Sequence, residues 1–497
     1  MYGQSRQERV AANPPINERK NEMSNGTTDG KTTAQLYLFE NITRNDTNND
    51  MAISEKTTEE TASPMKDSGI EWIGEIPTHW EIVRLKYLAN DEPHSFDDGD
   101  WIETPVIQDH GIRYYTTGNV GDGKFKFQGD GFISEETFKK LNCKYAYPGD
   151  LVISRLNAPY GRSCIIPNEY DKCIVAVDVV IFRTNEDKRY LCYVTQCPGY
   201  HRAVEDKAAG TTMKRISRSK LGTIMIPHPP LSEQIAIASH LDSITSRIDE
   251  AVRLIDEQLA DLKDYRKALI SEVVTRGVPS DSTPQPTKPT NTKWIPEIPT
   301  HWKTRKFRYL LESMESGGTP SSSYSHYYEG DIPFVAIGDM STTRIIRETA
   351  RHISKEAQYS KNLKQYPSGT TLYSIYATIG AVSQLGISAC INQALLALTP
   401  KPRLLNNYFM QYVLMAIQSY AISIASSNTQ KNLNAETVSN FRIPLPPLDE
   451  QETIVNYLDQ RLSALSRHEE MLFQQRDDLL AYRQSVISEY VTGKRRV

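Results

Sequence analysis

Three charged side chains have roughly the spacing of a metal-dependent nuclease core. Asp178 lies in an apolar run, and Glu186 and Lys188 follow it closely. The two carboxylates of such a set would hold a divalent metal next to a scissile phosphate. Residues 184–187 (Thr-Asn-Glu-Asp) have the composition of a turn, however, and triples with this spacing arise often by chance. We therefore expect no nuclease site here, and an autonomous nuclease is kept only as an alternative.

A glycine-rich segment resembles the first part of a phosphate-binding loop. Residues 118–124 read G-N-V-G-D-G-K, but Phe125 stands where such a loop needs Ser or Thr to hold magnesium. The alternation in residues 125–127 indicates a strand, whereas a phosphate-binding loop requires a helix. The sequence therefore favours a glycine-rich hairpin.

Other catalytic patterns are incomplete. Residues 13–16 (N-P-P-I) are similar to the N-P-P-aromatic motif of amino-methyltransferases, but the aromatic residue is missing and no glycine-rich cofactor loop follows. The six cysteines form no C-x-x-C pair, so we expect buried free thiols in a reducing compartment. No Ser/His/Asp set or metal-binding His cluster stands out. A chain of 497 residues without a credible active site favours a binding or scaffold role.

The charge balance does not by itself indicate a nucleic-acid binder. The net charge is −4. Residues 81–225 carry 20 basic and 20 acidic side chains, whereas residues 303–442 carry 14 basic and 8 acidic ones. A neutral or modestly basic domain still binds DNA if its cations cluster on one face. No apolar run is long enough to span a membrane, and no secretory signal is present, so we expect a cytoplasmic protein without a membrane partner.

The sequence contains one unit that is repeated in two tandem copies. The sequence I-P-T-H-W at residues 76–80 recurs at 298–302, and I-P-H-P-P-L-S-E-Q at 226–234 recurs as I-P-L-P-P-L-D-E-Q at 443–451. A third pair of matches, Y-R followed by I-S-E, begins at Tyr265 and again at Tyr482. The middle of each unit has diverged. This pattern predicts a shared scaffold that carries two different recognition surfaces.

A long helix is predicted after each Pro-Pro pair, over about 45 residues. Ser232 and Asp449 are N-cap candidates, and Gly277 and Gly493 fit the position after the last turn. Apolar residues repeat every seven positions in both helices, which is typical of a coiled coil. These seam residues are Leu241, Ile248, Ile255, Leu262 and Leu269 in the first helix, and Leu458, Leu465, Leu472, Leu479 and Val486 in the second.

The expected fold class is α+β. Two mixed α/β domains follow in tandem, each with a long α-helix after it, and the helices pair as an antiparallel coiled coil with pseudo-two-fold symmetry. The alternative is two separate amphipathic helices, each lying on its own domain. Within the domains, strands are expected at residues 150–154, 174–182 and 393–398, and helices at 189–204 and 406–425.

The expected domain boundaries follow from the repeat and from composition. They are a disordered extension at 1–66, a first domain at 67–230, a central helix at 231–277, a Pro-rich linker at 278–291, a second domain at 292–447 and a C-terminal helix at 448–497.

The doubled motifs carry a family resemblance. Each long helix begins with P-P-L-x-E-Q and ends with I-S-E-x-V-T. Each globular segment begins with I-P-x-H-W. Together with G-G-T-P at 317–320 and G-D-I-P-F at 330–334, this set resembles the specificity subunit of type I restriction-modification systems. The resemblance covers residues 67–497.

The resemblance implies that this chain recognises DNA and that partner subunits carry out the reactions. Each domain is then a target-recognition domain that reads one half of a split, asymmetric duplex target, and the helices set the gap and dock two modification subunits. Those subunits would carry S-adenosylmethionine and methylate adenine, while restriction subunits would supply ATP-driven translocation and magnesium-dependent cleavage. This chain would be a non-catalytic subunit without a cofactor or metal of its own, in a prokaryotic cytoplasm. The alternatives are a related restriction system with a fused nuclease-methylase partner, and a coiled-coil interaction scaffold.

Matching turns in the two copies contain the DNA-binding candidates. They follow Gly-Thr-Thr in the first copy and occupy the equivalent place in the second. Cations there would bind phosphate, whereas Gln or Asn would read adenine; a solvated loop packed on the helix start is the alternative. The candidates are Lys214, Arg215, Arg218, Gln430, Lys431 and Asn432. Trp80 and Trp302 are interpreted as structural.

Overall fold

The described residues divide into two units, each built around one of the repeated segments. The computed structural model describes residues 64–210, 214–279, 285–340, 344–426 and 432–497. Among these residues, the first unit comprises those from 64 to Ile255 together with Gln474–Val497, and the second unit comprises those between Asp256 and Phe473. Each unit therefore contains one globular domain and parts of two long helices.

The first globular domain combines short strands with short helices. Its strands are β1 Met65–Asp67, β2 Glu75–Pro77, β3 Glu81–Arg84, β4 Phe96–Asp98, β5 Ile112–Tyr115, β6 Phe132–Ile133, β7 Leu151–Ser154, β8 Ser163–Ile165, β9 Cys173–Val175, β10 Val179–Phe182 and β11 Met225–His228. Its helices are α1 Glu135–Leu141, α2 Lys188–Thr195, α3 Pro198–Lys207 and α4 Arg218–Leu221, with 3-10 turns at Leu85–Leu88 and Thr104–Val106. The long helix α5 then runs over Leu231–Arg276.

Two small sheets form the centre of this domain. One has four antiparallel strands in the order β4-β10-β7-β8, and the other has the order β6-β5-β9, in which β5 and β9 are parallel. The strands β7 and β10 are buried along their whole length because every side chain in them is apolar or small. The loop between β7 and β8 therefore follows directly from a buried strand.

The second globular domain has the same kinds of element. Its strands are β12 Thr287–Thr292, β13 Ile295–Pro299, β14 Lys303–Lys306, β15 Leu311–Ser316, β16 Ile332–Val335, β17 Ile345–Ile346, β18 Arg351–Ile353, β19 Thr371–Ser374, β20 Val382–Leu385, β21 Cys390–Ile391, β22 Leu395–Pro400 and β23 Arg442–Leu445. Its helices are α6 Ile337–Met340, α7 Lys355–Ser360, α8 Asn407–Ala416, α9 Gln418–Ser426 and α10 Ala435–Ser439, with 3-10 turns at Phe307–Tyr309 and Ser325–Tyr328. The long helix α11 runs over Leu448–Val491.

The two domains share their topology. A five-stranded sheet in the order β15-β22-β19-β20-β17 matches the four-stranded sheet of the first domain with one strand more. A three-stranded sheet, β18-β16-β21, contains one parallel pair, as β6-β5-β9 does. The mixed α/β composition of both domains confirms the predicted fold class.

Both long helices form where the heptad pattern predicts them. They contain 46 and 44 residues, and Gly277 and Gly493 follow them with φ of +85° and +70°. Nine of the ten predicted seam residues are buried, and Leu465 is half-buried. The helices nevertheless begin one residue before the N-cap candidates Ser232 and Asp449, at Leu231 and Leu448. Ser232 and Asp449 therefore lie in the first turn, and the carbonyls of Pro230 and Pro447 accept its N–H groups.

Segments of the two helices contact each other inside each unit. In the first unit, Arg483 donates to Asp249 at 3.0 Å and His240 lies 2.9 Å from the Tyr490 hydroxyl. Positions rise along α5 as they fall along α11, so these segments run antiparallel. In the second unit, Arg266 donates to Ser466 at 3.0 Å and to Glu469 at 2.9 Å. A coiled coil that continues through both units stays a prediction.

Three expectations about local structure need correction. The strand expected at 174–182 is two strands, because a turn at 176–178 separates β9 from β10. The helices expected at 189–204 and 406–425 are each divided in two; Pro198 ends the first because proline cannot donate within a helix. The strand β12 overlaps the predicted linker at 278–291 and pairs with β13.

Candidate nucleic-acid interface

A loop closed by the same hydrogen bonds connects two neighbouring strands of the main sheet in each domain. We name residues 155–162, between β7 and β8, the first hairpin loop, and residues 375–381, between β19 and β20, the second hairpin loop. In the first, the Ser154 hydroxyl donates to the carbonyl of Leu156 at 2.9 Å; in the second, the Ser374 hydroxyl donates to the carbonyl of Tyr376 at 2.8 Å. The N–H groups of Gly161 and Gly380 bind the carbonyls of these two serines, both at 2.9 Å. The two loops therefore close in the same way.

The tips of the two loops expose different side chains. Asn157, Ala158 and Pro159 are exposed in the first loop, and Tyr376, Ala377 and Thr378 are exposed in the second. Asn157 and Ala377 both have positive φ, at +62° and +53°. Asparagine tolerates this conformation and alanine does so at a cost, so the loop geometry is maintained against local preference. A common backbone thus presents two unlike surfaces.

The described part of the predicted DNA-binding segment lies beside the hairpin loop in each domain. In the first, the N–H of Ile216 donates to the carbonyl of Arg155 at 3.1 Å, and Arg215 pairs with Ala209. In the second, the N–H of Leu433 donates to the carbonyl of Ile375 at 3.0 Å. A backbone hydrogen bond therefore joins the described part of the segment to the loop in both copies.

Two buried arginines fix the first hairpin loop at its ends. Arg155 donates to the carbonyls of Ile216 at 3.0 Å and Val177 at 2.7 Å. Arg162 is also buried, and it donates to five backbone carbonyls: those of Thr117, Val120, Leu156, Asn157 and Pro159. Burial lowers the pKa of Arg162, although the guanidinium stays charged. The aligned residues of the second copy are Ile375 and Ala381, so this fixation is specific to the first domain.

The buried end of the loop contains a charge cluster. Arg155 lies 3.0 Å from a carboxylate oxygen of Asp98 and 3.3 Å from one of Asp178. Burial raises the pKa of Asp98, and the positive charges of Arg155 and Arg218 oppose that rise. Burial also acts to raise the pKa of Asp97, but the hydrogen bond to His94 and nearby cations lower it overall. The cluster therefore joins β4, the hairpin loop and α4.

The candidate cations of the first domain all face carboxylates. The Lys214 ammonium lies 3.1 Å from Glu205, and Arg215 lies 3.7 Å from Asp178 with 60% of its side chain exposed. Arg218 contacts Asp97 and lies 3.6 Å from Asp98. Arg218 thus has a structural role at the start of α4, whereas Lys214 and Arg215 remain on the surface.

The candidates of the second domain are only partly described. Gln430 and Lys431 lie outside the described residues. Asn432 is half-buried and precedes Leu433, which packs in the core of this unit. Its position beside the second hairpin loop matches that of Arg215 beside the first.

The repeated motifs bind each other. His79 of I-P-T-H-W lies 2.7 Å from Glu233 of P-P-L-x-E-Q, and Trp80 donates to the same carboxylate at 2.8 Å. In the second unit, His301 lies 2.9 Å from Glu450. Trp80 and Trp302 are buried, in agreement with a structural role. The two motifs therefore attach the start of each domain to the start of the helix that follows it.

The end of α11 packs against the start of the first domain within the first unit. A β-carbon on Gly493 would lie 2.4 Å from the Pro77 ring, and the Tyr190 hydroxyl donates to the carbonyl of Val491 at 3.2 Å. The end of α5 has the equivalent neighbour in the second unit, where Gly277 lies beside Trp302. Glycine is thus required at Gly493 both for its positive φ and for this close approach.

The residues of the nuclease-like triple do not converge. Asp178 contacts Arg155 and Arg215, whereas Glu186 contacts His228 and the side chain of Gln234. Lys188 donates to the carbonyl of Gly149 at 2.6 Å. Among the described residues, no group of His, Cys, Asp and Glu has an arrangement that would hold a metal.

The glycine-rich segment at 118–124 forms a turn rather than a phosphate-binding loop. Val120 pairs with Phe125 across it, and the Asn119 amide donates to the carbonyls of Lys126 and Gln128. This geometry agrees with the predicted hairpin. In the described part of the chain, no helix combines the length and apolar character needed to cross a bilayer.

Comparisons with known proteins agree with this architecture. The model of the type I restriction modification DNA specificity domain matches residues 77–258 and 299–471. A putative type I restriction enzyme MjaX specificity subunit of Methanocaldococcus jannaschii is 23% identical over 438 residues, which cover 86% of this chain and 96% of that protein. The EcoBI specificity subunit of Escherichia coli is 23% identical over 333 residues, with 64% and 67% covered.

A solved structure has the same fold. It is a chain from work on complex assembly and conformational transition of the type I R-M system, with a TM-score of 0.65, 20% identity, and coverage of 84% of this chain and 99% of that one. The family model matches more than half of this sequence, in two tandem copies. The chain belongs to the type I restriction-modification DNA specificity family. Its role is that of a specificity subunit, which recognises a DNA sequence.

Proposed function

We propose that this chain is a non-catalytic subunit that reads a bipartite, asymmetric duplex target. Each domain reads one half through its hairpin loop and the adjacent segment. The partners are two modification subunits, which carry S-adenosylmethionine and methylate adenine, and restriction subunits, which use ATP and magnesium for translocation and cleavage. The specificity subunits among the relatives support this assignment of partners.

The likeness of the two hairpin loops carries the proposal. Their backbones close through the same bonds from Ser154 and Ser374, whereas their tips expose Asn157 in one copy and Tyr376 in the other. Asparagine makes a bidentate contact with adenine, and tyrosine offers an apolar ring and a hydroxyl. A good bidentate contact contributes about 1–3 kcal/mol of discrimination. Two unlike tips on one framework are what an asymmetric target requires.

The two long helices set the gap between the halves in this proposal. Nine of their ten seam residues are buried, the helices contact each other inside each unit, and in the first unit these contacts are antiparallel, as between Arg483 and Asp249. A continuous coiled coil is stiffer than a flexible linker, whose ends would sample a range of separations. The helices therefore act as a spacer, and their outer faces are available to the modification subunits.

Substitutions at the two loop tips test the proposal. The chain is co-expressed with its modification subunit, and methylated adenines are mapped across a genome. We expect Asn157→Ala to relax one half of the target and Tyr376→Ala to relax the other half. The control is Tyr309→Ala, which removes a tyrosine that is 53% exposed outside both loops and should leave the target unchanged.

The pattern of relaxation decides the outcome. If Asn157→Ala and Tyr376→Ala relax the same half, the assignment of one half to each domain is wrong. If neither variant alters the target, the hairpin loops do not read bases.

A further inference from the structure

The surface cations beside the first hairpin loop have protein carboxylates as their partners. Lys214 faces Glu205 on α3 at 3.1 Å, and Arg215 faces Asp178 at 3.7 Å. Lys214 also lies 5.8 Å from the centre of the Tyr160 ring, which places its ammonium next to the hairpin loop. A carboxylate therefore occupies the place that a DNA phosphate would take.

These ion pairs differ in how readily the cation can leave its carboxylate for a DNA phosphate. The side chains of Lys214 and Glu205 are 39% and 54% exposed, and exposed ion pairs of this kind contribute little to stability. Asp178 is only 13% exposed and also pairs with the buried Arg155. Arg218 is held by both Asp97 and Asp98. The Lys214–Glu205 pair is therefore the one that phosphate can displace without disturbing the fold.

We propose that Glu205 competes with DNA phosphate for Lys214 and so limits the affinity of the first domain for the DNA backbone. This inference rests on the proposed function, since it requires duplex DNA to lie against the hairpin loop. In the free protein Lys214 is neutralised by Glu205. When DNA binds, the ammonium transfers to a phosphate, and the carboxylate is left without its cation near a negative backbone. Both effects oppose binding that depends on phosphate contacts alone.

The consequence is a bias against non-specific binding. Contacts to phosphate supply essentially all of the affinity for non-target DNA. A carboxylate that weakens one such contact lowers that affinity, and base contacts by the loop tip must then supply more of the binding free energy at the target. Glu205 would thus determine specificity without touching a base.

Removal of the carboxylate tests the inference. The full chain, purified with its modification subunit, is titrated with a random-sequence duplex of about 40 base pairs at fixed salt. We expect Glu205→Gln to raise the affinity about two- to fivefold, the range that corresponds to one exposed ion pair. The matched control is Asp206→Asn, which makes the same change in charge one residue further along α3. Asp206 is exposed and makes no ion pair with any residue in the described ranges.

A double-variant cycle separates competition from general electrostatics. If Glu205 acts through Lys214, the gain from Glu205→Gln disappears when Lys214→Ala is also present. A gain that persists in the Lys214→Ala background, or an equal gain from Asp206→Asn, would overturn the inference, because either result means that any lost negative charge has the same effect. An unchanged affinity in Glu205→Gln would also overturn it.

The same variants test the proposed DNA interface separately from the competition by Glu205. If Lys214→Ala alone leaves the affinity for the duplex unchanged, the segment does not bind DNA and the proposed function is wrong at this surface. If Lys214→Ala weakens binding and Glu205→Gln has no effect, the interface stands and only the competition is excluded.

Discussion

The side-chain oxygen of Gln234 accepts the backbone N–H of Asp187 at 3.1 Å, and the amide nitrogen donates to the carbonyl of Pro229 at 2.9 Å. Gln451 makes the same two bonds in the second copy, to Asn406 at 2.8 Å and to Pro446 at 2.9 Å. Asp187 and Asn406 are the N-cap residues of α2 and α8. The last residue of the P-P-L-x-E-Q motif therefore joins the start of a long helix to a helix of the domain that precedes it.

Replacement of these glutamines should destabilise each unit. Gln234 and Gln451 are fully buried, and their loss leaves a backbone N–H and a carbonyl without partners. We expect Gln234→Ala and Gln451→Ala each to cost about 1–3 kcal/mol of unfolding free energy. Calorimetry of the assembled complex measures the change. Gln460→Ala, an exposed position on α11, is the control, and an equally small effect at all three positions would contradict the structural role.

Arg155 should be essential to the stability of the first domain. Arg155→Ile introduces the residue of the second copy but leaves Asp98 and Asp178 without their buried cation. Removal of one partner from such a network costs about 3–5 kcal/mol. Chemical denaturation gives the loss, with Arg202→Ala on the exposed face of α3 as the control. A loss below about 1 kcal/mol would show that the network is not stabilising.

Two neighbouring leucines on α11 test the packing of the heptad seam, because one is buried and the other is exposed. Leu479 is 2% exposed and Leu480 is 45% exposed. Leu479→Ala should cost about 2–5 kcal/mol because it leaves a cavity between the helices. Leu480→Ala should cost far less, since that side chain already contacts solvent. Equal losses of thermal stability in the two variants would mean that Leu479 is not in a packed interface.

The six thiols should be inert in the folded protein. Burial raises the pKa of Cys143 and Cys390 to about 11, and those of Cys164, Cys173, Cys192 and Cys197 to about 12. Thiolate is the reactive form, so a disulfide reagent at pH 8 should label none of them before unfolding. Rapid labelling of the native protein would contradict this burial.

The same pKa shifts predict the direction of the pH dependence. An unfolded thiol ionises near 9.0, so it loses its proton at a lower pH than the buried thiols do. The stability that these thiols contribute is therefore complete below pH 9 and falls as the pH rises towards 11–12. Denaturation at pH 8 and pH 10 would detect this loss, which a serine substitution at Cys164 should reduce.

The scaffold could be predicted from the sequence because its signals are local or repeated. The seam of Leu241 to Leu269 follows a seven-residue period, and the helix start is marked by Pro-Pro and the helix end by glycine. The N-cap candidates were wrong, because the carbonyls of Pro230 and Pro447 accept the first bonds and Ser232 and Asp449 lie in the first turn. Pro198 indicates a break between α2 and α3, but one continuous helix was expected because apolar residues lie on both sides of it.

The proposed interface could be predicted only in part. Lys214 and Arg215 were predicted as DNA-binding candidates because the sequence around them is repeated in the second copy, and their role stays a prediction. The hairpin loops were missed, since their exposed residues differ between the copies and give no alignment. The partners of Arg155 could not be predicted either. Asp98 and Asp178 lie far from Arg155 in sequence, and the apolar run around Asp178 does not predict the turn that positions it.

Mapping of the methylated adenines made by the wild-type chain with its modification subunit is the most direct test of two reading domains at a fixed separation. We expect every modified site to contain two unlike words separated by a constant number of unspecified base pairs. A single continuous word, or two words at a variable distance, would contradict a pair of domains held apart by a helical spacer.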